Sequence, residues 1–487
     1  MMHISFDALL ETSGEIGYVH RVTPPLFYVR GLPNVLLQEM VMVETGDIAI
    51  VTALGENDVE ALAFSSRNVR VGARVARSGK ELHIPVGTEL LGRSVNARVE
   101  SLDPVSPMPE MRESRPVDPP PPEVRSRVRI KHACETGYAM IDLVMPIGKG
   151  QRELLIGDQK TGKTTVLLRT IMAQVRAGAV AIYAVIGKSR RLTKEVEETL
   201  RRMKVFHECV IVSAGADEPA GMRYLAPYTA MTIAEYFRDY GRDVLIVLDD
   251  MTNHAKSCRE ISLIGRRFPG RNSYPGDIFS IHARILERAG NFMGKEGERA
   301  ITCLPVVEAA QGDITGYITT NLMAMTDGHL YFDYALFSEG RRPALSPFLS
   351  VTRVGHQTQR PLAREIGKEL LSFLHRAERM KTFATIAVES QPLIHSTLRE
   401  ANQIAVLFDQ TSYEHVPLNV QMLLYGFIRS GAWHGKPPDV LDAAKSRVVE
   451  LYSSNRRFRA RADVVTAQSE TVEELIKNIR LLGEFHL

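Results

Sequence analysis

The octapeptide Gly157-Asp158-Gln159-Lys160-Thr161-Gly162-Lys163-Thr164 constrains this chain more than any other stretch, because it fits G-x-x-x-x-G-K-[ST]. Two glycines let the loop backbone turn its N–H groups inward around phosphate oxygens. The lysine supplies a cation for the β- and γ-phosphates, and the threonine hydroxyl can ligate Mg2+. The apolar run Leu154-Leu155-Ile156 precedes the loop, and Val166, Leu167, Ile171, Met172 and Val175 follow it at helical spacing. Strand, loop and helix in that order aim a helix N-terminus at an anion. The competing reading is a plain glycine turn between core elements, and the flanking pattern argues instead for a nucleotide site.

Such a loop works with a second strand, an apolar run ending in a carboxylate that holds the metal through water. Val244-Leu245-Ile246-Val247-Leu248-Asp249-Asp250 has that form. Asp249 is the metal-facing choice and Asp250 the reserve. Alone the run is a common pattern; it gains weight from lying in the same alternating region as the loop.

The 487 residues, 44% hydrophobic and 24% charged, have the balance of an ordinary globular protein. That length suits about three domains. A formal charge of +3 neither demands nor excludes an anionic partner. Cys134, Cys209, Cys258 and Cys303 are scattered without a C-x-x-C pair. That argues for isolated thiols in a reducing compartment, and against a metal site or disulfide framework. No apolar run approaches the ~18 residues of a membrane span. Met1–Leu10 lacks the charged-then-apolar build of a signal peptide. A soluble, cytosolic chain able to dock on a membrane complex is expected.

Local pattern divides the chain in three. Short strands broken by glycine at Leu26–Val29, Met40–Val43, Ile48–Leu54, Val59–Phe64 and Leu82–Ile84 suggest a small β-barrel over 1–95. A proline-rich stretch from Asp103 to Pro122 reads as a linker or long surface loop. From 96 to 361 strands (Ala179–Ile186, Cys209–Ser213, Val244–Leu248) alternate with helices (Leu192–Met203, Tyr224–Arg238), the mark of a parallel sheet covered by helices. Over 362–487 only helical faces remain: Ile366, Leu370, Phe373, Leu374 and Ala377; then Leu398, Ala401, Ala405 and Phe408. A capping box at Thr471-x-x-Glu474 opens the last helix.

At this point the sequence resembles the α subunit of the F-type ATP synthase over nearly its whole length. Thr136-Gly137 through Asp142 and Pro146 through Leu154 look like that family's approach to its phosphate loop. The most particular signature is Pro269-Gly270-Arg271-x-x-Tyr274-Pro275-Gly276-Asp277-x-Phe279-x-x-His282-x-Arg284-x-Leu286-Glu287-Arg288-Ala289. Leu304 to Glu308, Gly312-Asp313, Thr320-Asn321, Thr326-Asp327-Gly328 and Ile84-Pro85-Val86-Gly87 continue it. The resemblance implies an N-terminal β-barrel, a central α/β phosphate-loop (RecA-like) nucleotide-binding domain and a C-terminal α-helical bundle.

It also implies roles. In the α3β3 ring of that family the β subunits carry a catalytic glutamate in the turn after the strand that follows the phosphate loop. Here that turn reads Ile186-Gly187-Lys188-Ser189-Arg190, and a lysine cannot serve as that base. The site should bind ATP or ADP with Mg2+, through residues 157–164 and with Thr164 and Asp249 at the metal, without fast hydrolysis. A substitute acid would have to come from Glu195 or Glu197 on the next helix. Phe348 to Gly355 resembles the strand presenting the α-subunit arginine finger, so Arg353, supported by Ser350, is expected to act in the neighbouring β site. Phe337, Arg342 and Gln410 correspond to the family's own nucleotide pocket. Implied partners are β, the γ shaft, a peripheral stalk and, indirectly, a membrane-embedded ion-translocating sector. The expected place is the cytoplasmic face of a bacterial plasma membrane.

Departures stand beside these matches. The adenine-side loop reads Gln410-Thr411-Ser412-Tyr413, with one glutamine where the family has two, which puts base contacts in question. Few residues precede the barrel, fewer than the helix that holds a δ subunit needs. These features resemble a divergent branch, often Na+-coupled, whose complexes lack δ. A Rho-like RNA motor shares the core, and Arg456-Arg457-Phe458-Arg459 raises that question, but nucleic-acid binding is not expected. Flagellar and secretion ATPases fit the Pro269–Ala289 signature less well.

Overall fold

The structure is a computed structural model that describes residues 5–65, 69–386, 400–401, 403–410, 415–433 and 435–485. The chain forms two units: residues 1–129, 175–309 and 313–326 make the first, and 130–174, 310–312 and 327–487 the second.

In the first unit, Ile16–Thr23, Leu26–Arg30, Glu39–Val43, Ile48–Leu54, Val59–Ala63 and Arg74–Glu81 close into a barrel. Closure removes the open strand edges that a small sheet would otherwise expose. Val19, Phe27, Val29, Val41, Val51, Ala61 and Val75 fill its interior. The barrel expected from the turn signals is there, with two changes. Ile16–Thr23 and Arg74–Glu81 were not anticipated. The run near Leu82–Ile84 leaves the barrel: His83–Val86 pairs antiparallel with Glu113–Pro116. The proline-rich stretch therefore contains a short strand. One of its prolines, Pro116, ends a two-stranded ladder, where a missing N–H is tolerated. Its exit carbonyl, on Val117, accepts from the Thr232 hydroxyl (3.1 Å) and the Arg288 guanidinium (2.9 Å).

Beyond the barrel, five parallel strands run in the order Gly297–Glu308, Val244–Asp249, Val180–Lys188, Cys209–Gly215, Arg93–Asn96. Gly290–Gly294 adds antiparallel to the first of these. The three central strands are buried almost throughout, as parallel strands covered on both faces require. Helices Arg190–Arg202, Ala220–Asp239 and Met251–Ile264 connect them.

In the second unit, Glu153–Gly157 runs parallel to Gly328–Phe332, which pairs antiparallel with Val351–Thr352. Helix Lys163–Arg176 starts directly after the loop that leaves Gly157. From Pro361 onward the described residues form helices, among them Pro361–Ile386, Leu418–Arg429, Pro438–Ser454, Arg456–Ala467 and Val472–Ile479. The Thr471 side chain caps the last of these by accepting from the Glu474 N–H at 3.3 Å. Leu398, expected on a helical face, lies outside the described residues.

Candidate nucleotide site and the carboxylate cluster

The phosphate loop is built by close approach. Strand Glu153–Gly157 is wholly buried. A Cβ on Gly157 would stand 2.6 Å from the Phe332 carbonyl oxygen, so only glycine lets the chain turn there. Gly162, at φ 92°, makes the second turn in a region that side chains avoid. The loop is then tied to itself. The Thr161 hydroxyl donates to the Asp158 carbonyl at 2.8 Å, and the Asp158 carboxylate accepts from the Gln159 N–H at 2.8 Å. Lys163 folds back so that its ammonium donates to the carbonyls of Gly157 (2.7 Å) and Asp158 (2.5 Å). Thr164 stands half-buried in the first turn of the helix. A phosphate offered to Lys163 replaces neutral acceptors with charged ones, which bind an ammonium about twice as strongly.

Phe337, Arg342 and Gln410 lie together in the same unit. Asp333 caps the helix Tyr334–Ser338 that carries Phe337. The Arg342 guanidinium lies 3.8 Å over the Phe337 ring and donates to the Phe337 carbonyl at 2.9 Å. The Gln410 N–H donates to the Arg342 carbonyl at 2.7 Å. The buried Gln410 side chain accepts from the Ala139 N–H and donates to the Gly137 carbonyl, both at 2.8 Å. Its amide therefore braces the chain segment ahead of the phosphate-loop strand. Arg169, fully buried, donates to the same Gly137 carbonyl and stacks on Tyr138 at 3.8 Å. Thr411, Ser412 and Tyr413 lie outside the described residues.

Arg353 is exposed at the end of Val351–Thr352. Its N–H donates to the Asp327 carbonyl at 3.1 Å. The Asp327 carboxylate in turn accepts from the Arg152 N–H (2.9 Å) and guanidinium (2.8 Å). Ser350 acts on the backbone: its hydroxyl accepts from the Tyr331 N–H at 2.9 Å and donates to the Ser346 carbonyl at 2.6 Å. Thr352, which sequence reasoning passed over, donates to the Pro146 carbonyl at 2.8 Å and accepts from the Gly355 N–H at 3.1 Å.

The first unit holds the other half of the sequence expectation. Parallel register sets Val185 beside Asp249, and so brings the end of Val180–Lys188 to the two aspartates. The Lys188 ammonium lies 3.0 Å from Asp249, 3.1 Å from Asp250 and 3.4 Å from Glu308. The second Asp249 oxygen accepts from the Tyr183 hydroxyl at 2.8 Å. Asp250 caps helix Met251–Ile264 by accepting from the Asn253 N–H at 2.7 Å. Burial works against the Lys188 charge, but Asp249 and Asp250 outweigh it and hold its pKa above the ordinary lysine value. Burial pushes Asp250 up to about 6 against the pull of Lys188, with Asp249 and Glu308 adding to the rise. Mg2+ demands near-octahedral oxygen ligands at about 2.0–2.1 Å. The Asp249 oxygens thus meet Lys188 and Tyr183, and a carboxylate that holds a metal through water keeps further lone pairs for that role. Of the two acids on the next helix, Glu195 pairs with Arg191, and Glu197 with Arg201 and the Ser94 hydroxyl. Tyr183 and Glu308 went unassigned in the sequence, because only strand register reveals that they meet Lys188 and Asp249.

A buried strand, a glycine-turned loop and a helix opening on Lys163-Thr164 define a phosphate-loop nucleotide-binding protein. Residues 137–352 match the ATP synthase alpha/beta family, nucleotide-binding domain. The ATP synthase subunit alpha 1 of Paraburkholderia xenovorans (strain LB400) is 35% identical over 437 residues, 89% of this chain and 85% of that protein. The ATP synthase subunit alpha of Caldanaerobacter subterraneus subsp. tengcongensis is 36% identical over 420 residues, 86% of this chain and 83% of that protein. The chain belongs to the ATP synthase alpha/beta family, on its F-type alpha side. Neither relative favours a Rho-like motor or a secretion-type ATPase.

Proposed function

We propose that this chain is the non-catalytic, nucleotide-holding alpha subunit of a rotary F-type ATPase. It alternates with β around a γ shaft, meets a peripheral stalk, and serves ATP synthesis or hydrolysis coupled to H+ or Na+ movement by a membrane sector. Its place is the cytoplasmic face of a bacterial plasma membrane; among the described residues no helix is long and apolar enough to cross one. ATP or ADP binds through residues 157–164 beside Phe337 and Arg342, with Gln410 bracing the pocket's backbone. Thr164 is the hydroxyl offered to any Mg2+ arriving with the nucleotide. Arg353 enters the neighbouring β site, with Ser350 holding its strand. The division at 1–95, 96–361 and 362–487 then separates barrel, nucleotide domain and the helical bundle that faces the shaft.

The observation that carries this reading is Lys188 at the position where a hydrolytic subunit needs a carboxylate. An ammonium held by three acids cannot take a proton from water. The full-length chain alone should bind ATP in an equilibrium assay and release no measurable phosphate. Robust hydrolysis without β would overturn the non-catalytic reading, and absence of ATP binding would overturn the nucleotide reading.

A further inference from the structure

We propose that Glu153 is a positioning residue for Arg353, and that it fixes the strand end from which the arginine leaves by way of Gly328, Gln151 and Thr352. The inference rests on the reading of Arg353 as a finger. Glu153 opens a strand whose other members are Leu154, Leu155, Ile156 and Gly157, and it is as buried as they are. An apolar side chain would cost less there, since a buried carboxyl group gives up its hydration. Its Oε2 accepts from the Gln151 side-chain amide at 2.6 Å, and its Oε1 has no hydrogen-bond partner among the described residues. Burial holds its pKa well above the ordinary carboxylate value against the pull of Gln151, and Asp327 adds to the rise. It stands as a neutral carboxyl in an apolar strand.

Its placement ties it to the arginine. Strand register sets Glu153 beside Gly328, and Gly328 beside Thr352. The carboxyl lies against Gly328, where a Cβ would stand 2.6 and 2.9 Å from its two oxygens. Glycine is what admits the carboxyl to the middle strand. Gln151, also fully buried, makes the second connection. Its Oε1 accepts from the Gly148 N–H at 2.8 Å, which turns its Nε2 to Glu153 and, at 3.5 Å, to the Thr352 hydroxyl. That last step is long for a hydrogen bond, so the packing on Gly328 is the firmer connection. The Thr352 hydroxyl donates to the Pro146 carbonyl at 2.8 Å and accepts from the Gly355 N–H at 3.1 Å, which holds the turn containing Arg353. Asp327, next to Gly328, accepts the Arg353 N–H at 3.1 Å. Glu153 thus touches the two residues on which the anchors of Arg353 lean. A displacement of about 1 Å in a group that acts on a transition state can cost about a hundredfold in rate.

The test is ATP turnover of the reconstituted complex carrying Glu153→Met or Glu153→Gln, each also combined with Arg353→Ala and read with radiolabelled ATP. Glu153→Met removes the acceptor at similar length, and should lower kcat at least about tenfold while KM stays within about threefold. The full-length Glu153→Met chain alone should keep its ATP affinity and melting temperature. Glu153→Gln is neutral and keeps an acceptor oxygen, and should restore turnover to within about threefold of wild type. In the Arg353→Ala background Glu153→Met should add less than about threefold, because residues that act as a unit are not additive. Glu153→Met turnover within about threefold of wild type, beside an Arg353→Ala complex that is nearly inactive, overturns the inference and leaves the finger standing. A further fall of about tenfold in the Arg353→Ala background overturns it too, since Glu153 would then act by another route. Glu153→Gln as slow as Glu153→Met overturns the acceptor role. Arg353→Ala turnover near that of wild type overturns the finger and the inference together. Should Glu153→Met fail to fold, Thr352→Val cuts the same connection at a half-buried, isosteric position. A kcat loss of at least about tenfold there supports the inference, and turnover within about threefold of wild type overturns it.

Discussion

Arg353→Ala is the substitution in which rate and stability should part most widely. The segment around Arg353 is fixed by groups that alanine leaves in place. The residue's own N–H bonds to Asp327 at 3.1 Å, the Thr352 hydroxyl bonds to Pro146 at 2.8 Å, and the Ser350 hydroxyl accepts from Tyr331 at 2.9 Å. The side chain removed is exposed. Truncations of that kind shift stability by no more than about 0.5 kcal/mol. An arginine finger is worth about 10³–10⁵ in rate. At 1.36 kcal/mol per tenfold, that is about 4–7 kcal/mol of activation free energy. The two effects differ by roughly an order of magnitude, which one set of measurements resolves. The complex reconstituted with Arg353→Ala should keep its melting temperature and its bound nucleotide while steady-state ATP turnover falls at least about a thousandfold. Arg353→Lys keeps the charge without the planar fork, and should recover only part of the loss. Turnover within about threefold of wild type would refute the assignment. A melting temperature that collapses with the rate would refute the argument that the finger is independent of the fold.

Two further outcomes are expected. Burial lifts Asp142 from 3.8 to about 6, against hydrogen bonds from Thr136 and Gln421. The native chain therefore keeps a proton that the unfolded chain has lost, and stability falls as pH rises between those values, by roughly 3 kcal/mol. Asp142→Asn should flatten that slope in denaturant titrations across the window, and an unchanged slope would contradict the account. Gly157→Ala sets a methyl 2.6 Å from the Phe332 oxygen, so the loop must move. ATP affinity should fall at least about tenfold in equilibrium binding, and unaltered affinity would show that the loop geometry does not matter.

Much of this architecture was readable because it depends on short-range signals. Glycines at 157 and 162 and the helical spacing after Thr164 are local, and the phosphate loop forms where they stand. The barrel followed from turn spacing. Its missed strands, Ile16–Thr23 and Arg74–Glu81, carry Arg21, Arg77, Lys80 and Glu81, so their apolar alternation is weak. The strand Glu113–Pro116 is masked by the prolines around it, and its partner His83–Val86 and the Thr232 and Arg288 donors at its exit are distant in sequence. Gln410 shows the same limit. Its type and place assign it to the nucleotide pocket, and only the fold reveals that its amide bonds the backbone of Gly137 and Ala139, more than two hundred and seventy positions earlier.

Two lysines at the ends of buried strands now carry opposite meanings. The Lys163 ammonium rests on neutral carbonyls of its own loop, at 2.7 Å from Gly157 and 2.5 Å from Asp158. An arriving phosphate is a stronger acceptor than either, so the loop gives this cation up to a ligand. Lys188 rests on carboxylates, and no nucleotide oxygen improves on three of them. Breaking a buried pair by removing one partner costs about 3–5 kcal/mol, because the other charge is left uncompensated. The first lysine is therefore exchangeable and the second fixed. A chain with that pair can hold a nucleotide yet has no group at position 188 to draw a proton from water, which is what the proposed non-catalytic role requires.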